Sequence, residues 1–316
     1  MDRRIKIRHL QAFTEILRQQ SLKRAAERLS LTQPAISRTL AELEAILGAQ
    51  LLTRDRGGVA PTPQGTFFLA HAQASLSALE QGMSGLRDGG KGALALTVGA
   101  LPSVAARLMP QIAIEMARLA PDLHLTVADG SHEALTDQLR GGGLDLVIGR
   151  LGDPATMRGL SFTQLYLEEV AVVVRPGHPI LSDPDLRRIG DWTVLYPPPW
   201  AAIRPIIERL LIAEGVTLPP RRIETVSGAF GLALTAQSDA VWLISAGVVA
   251  GEVAAGRLVR LPVATRLTEG PVGLMARAAP GPADHSGTAR QLFTTAVNRA
   301  VAVLGLDDSA AGPTAS

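Results

Sequence analysis

The 316-residue chain contains no cysteine, which excludes disulfides, thiolate metal sites and cysteine nucleophiles. Its six histidines are scattered singly, so no His-rich metal cluster is expected. No apolar run approaches the roughly 18 residues of a membrane span. Met1-Asp2-Arg3-Arg4-Ile5-Lys6 is charged and leads into a mixed segment, so no signal peptide is expected. G-x-G-x-x-G, P-loop and G-x-S-x-G motifs are missing as well, and Gly141-Gly142-Gly143 reads as a helix-ending turn. Lysine is nearly absent (only Lys6, Lys23 and Lys91), so arginine carries almost all the basic charge. These absences point to a cytoplasmic protein without catalytic machinery or cofactor.

The charge is unevenly placed. Residues 1–60 hold 11 Lys and Arg against 6 Asp and Glu, a net +5, and the remainder holds 20 against 23, a net −3. A basic head on a slightly acidic body is expected to meet a polyanion.

Three short helices are read in residues 8–47. Leu10, Phe13, Ile16 and Leu17 space the first. Ser21 caps the second, which buries Leu22, Ala25, Ala26 and Leu29. Thr32 caps the third, with Pro34 in its first turn, and Gly48 stops it. Turning Ile36, Leu40, Leu43 and Leu47 inward leaves Gln33, Ser37 and Arg38 outside, side chains that suit base edges and phosphates in a major groove. This is a helix-turn-helix pattern, although a three-helix protein-binding module with a solvated face would share it. Two extended pieces around Gly57-Gly58 read as a wing aiming Arg54 and Arg56 at phosphates or the minor groove, or as a plain basic loop.

Thr62-Pro63 restarts a helix in which Phe68, Ala72, Ser75, Leu79, Met83 and Leu86 form one stripe. Antiparallel self-pairing in a dimer is the partner expected for it, with packing on its own chain the alternative. Asp88–Gly92 reads as a flexible joint.

From Ala93 the pattern alternates. Strands are predicted at Ala93–Gly99, Leu123–Ala128, Leu144–Ile148, Val170–Val174, Val194–Tyr196 and Val241–Ile244. Helices are predicted near Val104–Leu119, Ser131–Arg140, Ile203–Ala213, Gly228–Thr235 and Val248–Ala254. The fold class is α/β, doubly wound with mostly parallel sheets, behind an all-α head with a wing. Asp307–Ser316 is small and polar and is expected to be disordered.

Ser21-Leu22-Lys23-Arg24-Ala25-Ala26-Glu27-Arg28-Leu29 and Leu31-Thr32-Gln33-Pro34-Ala35-Ile36-Ser37-Arg38 resemble the LysR-type transcriptional regulators. Leu51-Leu52-Thr53-Arg54, Thr62-Pro63-Gln64-Gly65 and Gly143-Leu144-Asp145-Leu146-Val147-Ile148-Gly149 continue that pattern in order. Segments such as Val98–Val104, Ile203-Arg204-Pro205 and Ile223–Ser227 are similar to the family's PcaQ group, whose members activate genes for protocatechuate breakdown.

The resemblance implies a winged helix-turn-helix over 1–62, a linker and dimerisation helix over 63–90, and a two-lobed effector-binding domain over 91–306 like a periplasmic binding protein. Lobe I would take about 93–163 and 269–304, and lobe II about 164–268. It further implies a homodimer through the linker helix, a homotetramer, double-stranded operator DNA, RNA polymerase and a small-molecule coinducer as partners, and no membrane. Gln33, Pro34, Ser37 and Arg38 fall at the family's major-groove positions, with Ser21 and Thr32 beside them and Arg54 and Arg56 on the wing.

Coinducers in this family bind between the lobes. The residues point to the same place, because Ser103, Ser131 and Ser227 each follow a strand near a helix start, where free N–H groups attract anions. The expected effector is a carboxylated intermediate of aromatic catabolism. It would be held by Leu101, Pro102, Ser103, Ser131, Arg150, Trp200 and Ser227, with Arg204 clamping a carboxylate. Each serine could equally be a plain N-cap, Arg204 a surface salt-bridge partner, and Trp200 a core filler. A different effector, such as a sugar or amino acid, is the rival within the family. An enzyme or solute-binding protein with a fused head is the rival outside it.

Overall fold

Local chemistry sets the first elements. The Ser21 hydroxyl accepts from Arg24 N and the Thr32 hydroxyl from Ala35 N, both at 3.4 Å, so each starts a helix as a cap. Gly48 ends the third helix at φ +64°, in the left-handed region that glycine enters without strain. The computed structural model describes residues 4–55, 58–87, 94–278 and 287–306. Within it α1 spans Ile7–Gln19, α2 Leu22–Arg28 and α3 Gln33–Leu47. Strands β1 (Leu52–Asp55) and β2 (Gly58–Pro61) form an antiparallel hairpin, and α4 runs over Pro63–Arg87. Phe13, Ile16, Ile36, Leu43 and Leu51 are the fully buried centre of this part.

The hairpin is tied down by one side chain. Glu44 Oε1 accepts from Leu51 N at 2.7 Å and Leu52 N at 3.2 Å. Thr62 N donates to the Leu51 carbonyl at 2.9 Å, and the Thr62 hydroxyl caps α4 by accepting from Gly65 N at 2.9 Å. A Cβ on Gly65 would stand 1.9 Å from the Leu51 carbonyl oxygen, so glycine is what lets α4 start against the wing.

The stripe expected along α4 divides. Phe68 packs on Phe13 with ring centroids 5.6 Å apart and Ala72 is buried, so that end is spent on its own chain. Leu79 and Met83 are exposed, Ser75 donates to the His71 carbonyl, and the Leu86 side chain lies outside the described residues. The joint at Asp88–Gly92 and the tail at Asp307–Ser316 also lie outside them.

Contacts divide the chain into two units, one built on the first 93 residues together with Asp137–Leu144, the other on Leu94–Thr136 and the chain from Asp145 on. In the second part β3 (Ala95–Ala100), α5 (Pro102–Leu119), β4 (His124–Asp129), α6 (His132–Arg140), β5 (Leu146–Arg150) and β6 (Leu160–Glu168) come first. Then follow β7 (Val170–Val174), β8 (Val194–Tyr196), α7 (Arg204–Ala213), β9 (Arg222–Glu224), α8 (Gly228–Gln237), β10 (Val241–Ser245), α9 (Ala246–Ala254) and β11 (Val259–Arg260). Last come β12 (Gly270–Arg277) and α10 (Gly287–Val303). Two five-stranded sheets result, ordered β4-β3-β5-β12-β6 and β11-β7-β10-β8-β9.

Two expectations need correction. The sheets are mixed, not mostly parallel: β3 pairs in parallel with β4 and β5, and β8 with β9 and β10, while β12 and β7 pair antiparallel with their neighbours. The reason is topological, because the chain leaves the first sheet along β6 and re-enters it along β12. The lobe boundary also falls later than residue 163, since β6 stays in the first sheet as far as Glu168.

Each sheet has its own core. Val98, Leu108, Ile112, Ile148 and Phe293 are among the fully buried centre of the first, where α10 packs on α5. Val172, Tyr196, Ile207 and Trp242 serve the second. Among the described residues no helix is long and apolar enough to cross a membrane.

Candidate functional site

The head presents a polar helix face. Ile36, Leu40 and Leu43 of α3 turn into the core, and Leu47 is half-buried. Gln33, Pro34 and Arg38 are exposed and Ser37 is half-buried beside them. Thr32 is exposed and Ser21 half-buried; capping uses each hydroxyl as an acceptor and leaves its hydrogen to donate. Helix α2 adds exposed Lys23, Arg24 and Arg28, which the sequence reading left aside although their charge was visible; Arg24 Nη2 also reaches back to the Gln19 carbonyl at 2.7 Å. Arg54 lies on β1 opposite Val59, and Arg56 lies outside the described residues. An exposed amide and guanidinium with a half-buried hydroxyl between them on one helix can hydrogen-bond to base edges and phosphates.

The second candidate site is a cleft in the α/β part, enclosing about 500 Å³ with its open mouth. It gathers the first turns of α5, α6 and α9 and the turns before α7 and α8, all beyond the carboxyl ends of strands β3, β4, β8, β9 and β10. That is where an open α/β sheet offers free N–H groups to a ligand. Leu101 sits at the back. Its N–H donates to the Ile148 carbonyl at 3.0 Å, and a Cβ on Gly149 would come within 2.3 Å of its Cδ1.

The structure brings six of the eight expected residues together here: Leu101, Pro102, Ser103, Ser131, Arg150 and Trp200. Ser131 caps α6 by accepting from Ala134 N at 3.2 Å. Trp200 is 58% exposed at the rim, not a core filler. Two residues are placed elsewhere. The Arg204 guanidinium lies 4.4 Å from the centroid of the Tyr196 ring and bonds Glu208 at 2.6 Å, the Pro197 carbonyl at 2.8 Å and Glu224 at 3.3 Å. Its hydrogen-bonding capacity is turned to its own lobe, so the expected carboxylate clamp is corrected to a structural tie. Ser227 caps α8, accepting from Phe230 N at 3.3 Å, and its neighbour Val226 lines the cleft instead.

Arg150 is the lining arginine, and the cleft's walls are otherwise mainly apolar, with Val226, Ile244 and Val248 beside Leu101. Burial pulls its pKa down while the Glu168 charge pushes it up. The sequence reading missed His132 and Ser245, which line the cleft, and Glu168, which is buried beside Arg150 and outside the lining. Ser245-Ala246-Gly247 after β10 repeats the strand-to-helix pattern that singles out Ser103. Glu168 is a carboxylate set in the apolar stretch Leu165–Val174.

Residues 90–294 match the LysR substrate binding domain, and residues 7–66 match the bacterial regulatory helix-turn-helix protein of the lysR family. The HTH-type transcriptional regulator PcaQ of Agrobacterium fabrum is 46% identical over 282 residues, covering 88% of this chain and 90% of its own. The uncharacterized HTH-type regulator YdcI of Escherichia coli is 37% identical, covering 87% and 91%. A solved structure of full-length CbnR complexed with its target DNA shares the fold with a TM-score of 0.61 at 21% identity, covering 94% and 100%.

Proposed function

The chain belongs to the LysR family of transcriptional regulators, and from that premise we propose that it activates genes of aromatic-acid breakdown, protocatechuate genes above all, in response to a carboxylated intermediate. It is a regulator, not an enzyme, and as one of its family it binds operator DNA and a small effector. The observation that carries the finer reading is the likeness to PcaQ along nearly the whole chain, over a cleft whose lining cation, Arg150, is buried. Apolar walls with one guanidinium and several helix N-termini favour a flat or unsaturated acid; a sugar would need a polar partner for each hydroxyl.

The protein acts in the cytoplasm. Gln33, Ser37 and Arg38 read bases, Pro34 fits the first turn of α3 to the groove, and Ser21, Thr32, Arg54 and Arg56 contact the backbone. Two copies pair through α4, whose Phe67, Leu79 and Met83 are exposed apolar side chains, and two dimers form a tetramer. Effector in the cleft rearranges the dimers, which alters DNA bending and contact with RNA polymerase, and by linkage DNA geometry feeds back on effector affinity.

The test uses the full-length chain and DNA upstream of protocatechuate genes. Protocatechuate or 3-carboxymuconate should change the footprint and raise transcription in a purified system. A footprint and output indifferent to both acids, but responsive to a sugar or amino acid, refutes the proposed effector class. Leu79→Glu with Met83→Glu should give monomers in sedimentation and weaken operator binding by at least about tenfold, since each half-site contact loses its tethered partner.

A further inference from the structure

The chain crosses between its two sheets beside a pair of buried charges. Arg150 is only 4% exposed. Its Nη2 donates to the Glu168 main-chain carbonyl at 2.7 Å and its Nη1 to the Thr268 carbonyl at 3.2 Å. The Thr268 hydroxyl in turn accepts from Val170 N at 2.9 Å. The guanidinium therefore fastens the outgoing strand to the returning one.

Behind it lies the Glu168 side chain. Glu168 Oε1 accepts from Gly247 N at 3.1 Å, in the first turn of α9, and Ser103 of α5 stands against the same glycine. A Cβ on Gly247 would come within 2.5 Å of that oxygen and 3.0 Å of the Ser103 carbonyl, so glycine makes room for the carboxylate there. The pair itself is loose, with 4.0 Å from Arg150 Nη2 to Glu168 Oε2. Arg150 Nε and Glu168 Oε2 are both buried and have no hydrogen-bond partner. A buried pair so spaced does not recover its desolvation cost in full.

We propose that Glu168 is a specificity-determining residue of the effector cleft: its carboxylate holds the anion-attracting ground between Arg150, Ser103 and Gly247, so an effector's anionic group arriving at Arg150 competes with a charge the chain itself supplies. This rests on the carboxylate-effector reading above. With Glu168 ionised, each further carboxylate on an effector is repelled; with Glu168 protonated, the charge of Arg150 is uncompensated. The charged and titratable groups around Glu168 are Arg150 from β5, Arg107 from α5 and Tyr166 from its own strand, with the Gly247 N–H from α9, while His132 of α6 lines the same cleft. Burial raises the Glu168 pKa and the Arg150 charge opposes it, the net direction being up. Effector acids should accordingly bind tighter at lower pH.

Calorimetry on the full-length chain and its Glu168→Gln variant tests this, with protocatechuate as the monocarboxylate and 3-carboxymuconate as the tricarboxylate. Glutamine keeps an acceptor for Gly247 N. At pH 8 the variant should bind the tricarboxylate about tenfold tighter, as expected for removing one nearby like charge. The gain should be smaller for protocatechuate and should shrink at pH 6. Equal affinities, or one gain for both acids at both pH values, overturns the proposal.

Should neither acid bind either protein, the effector reading fails, and the ligand-free chain still decides on Glu168. A carboxyl whose folded pKa is raised contributes stability at low pH that is lost as pH rises above its unfolded value. The Tm advantage of the glutamine variant should therefore widen from pH 5 to pH 8. A constant gap overturns the proposal whatever the acids do, and a widening gap upholds the buried charge.

Discussion

Gly65→Ala is the sharpest single perturbation of the head. The added methyl would lie 1.9 Å from the Leu51 carbonyl oxygen and 2.9 Å from its carbon, the first more than an ångström inside any contact a real Cβ makes. Leu51 has little freedom to retreat. Its N–H is held by Glu44 at 2.7 Å, its carbonyl accepts from Thr62 N, and its side chain is buried. Either α4 tilts away from the wing or the hairpin moves. Overpacking of this kind costs about 1–3 kcal/mol, with backbone clashes at the upper end. Alanine's helix propensity returns at most about 1 kcal/mol. A net loss of about 2 kcal/mol should lower the Tm of the head by about 8–16 °C. Operator affinity, followed by fluorescence anisotropy, should fall by a similar factor on specific and scrambled DNA, because the contacts proposed for the hairpin are to the backbone. An unchanged Tm and unchanged affinity would refute the claim that this contact sets the wing against the linker helix.

Arg38→Ala should cost about 1–3 kcal/mol at one base step of the operator and relax preference there, as read by binding to a panel of point-substituted sites; a uniform loss would mark Arg38 as a phosphate contact. Arg204→Ala should leave effector affinity within about threefold while lowering stability by about 1–3 kcal/mol in urea titrations, since it breaks the Glu224 and Pro197 ties and the Tyr196 contact. Tyr196→Phe should be neutral or stabilising by up to about 1 kcal/mol in the same assay, because the Tyr196 hydroxyl is buried without a hydrogen-bond partner. Burial pushes that hydroxyl's pKa up to about 12, so ultraviolet titration of the wild type should show Tyr196 ionising well above an ordinary tyrosine, and Tyr196→Phe should remove that step.

What could be read from the sequence was what is decided locally. Ser21, Thr32 and Gly48 mark helix ends through bonds to residues at most four positions away, so spacing alone revealed them. The cleft serines were visible for the same reason, as strand-to-helix junctions. β12 was hidden by its composition: Gly270, Pro271 and Gly273 are poor strand formers, so no strand is predicted there, yet the strand lies between β5 and β6. Gly273 is there because a Cβ would come within 2.3 Å of the Thr163 carbonyl, and the register shifts between Val272 and Gly273, just after the proline. Such reasons lie over a hundred residues away in the chain. Arg204 misled because its charge was legible and its partners were weighed only as an alternative; Glu208, one turn later on the same helix face, was the local sign.

The position of β12 fixes an order of assembly during translation. Its two neighbours, β5 and β6, are complete by Glu168, but Gly270 leaves the ribosome about a hundred residues later. Through that interval the first sheet keeps a gap with two unpaired ladders, while every strand of the second sheet, from Val170 to Arg260, is already available to close on itself. The inserted lobe should mature first and the lobe that encloses it last. A nascent chain stalled before Gly270 should thus be protease-resistant in the head and across the second sheet, with aggregation-prone edges in the unfinished first sheet between them.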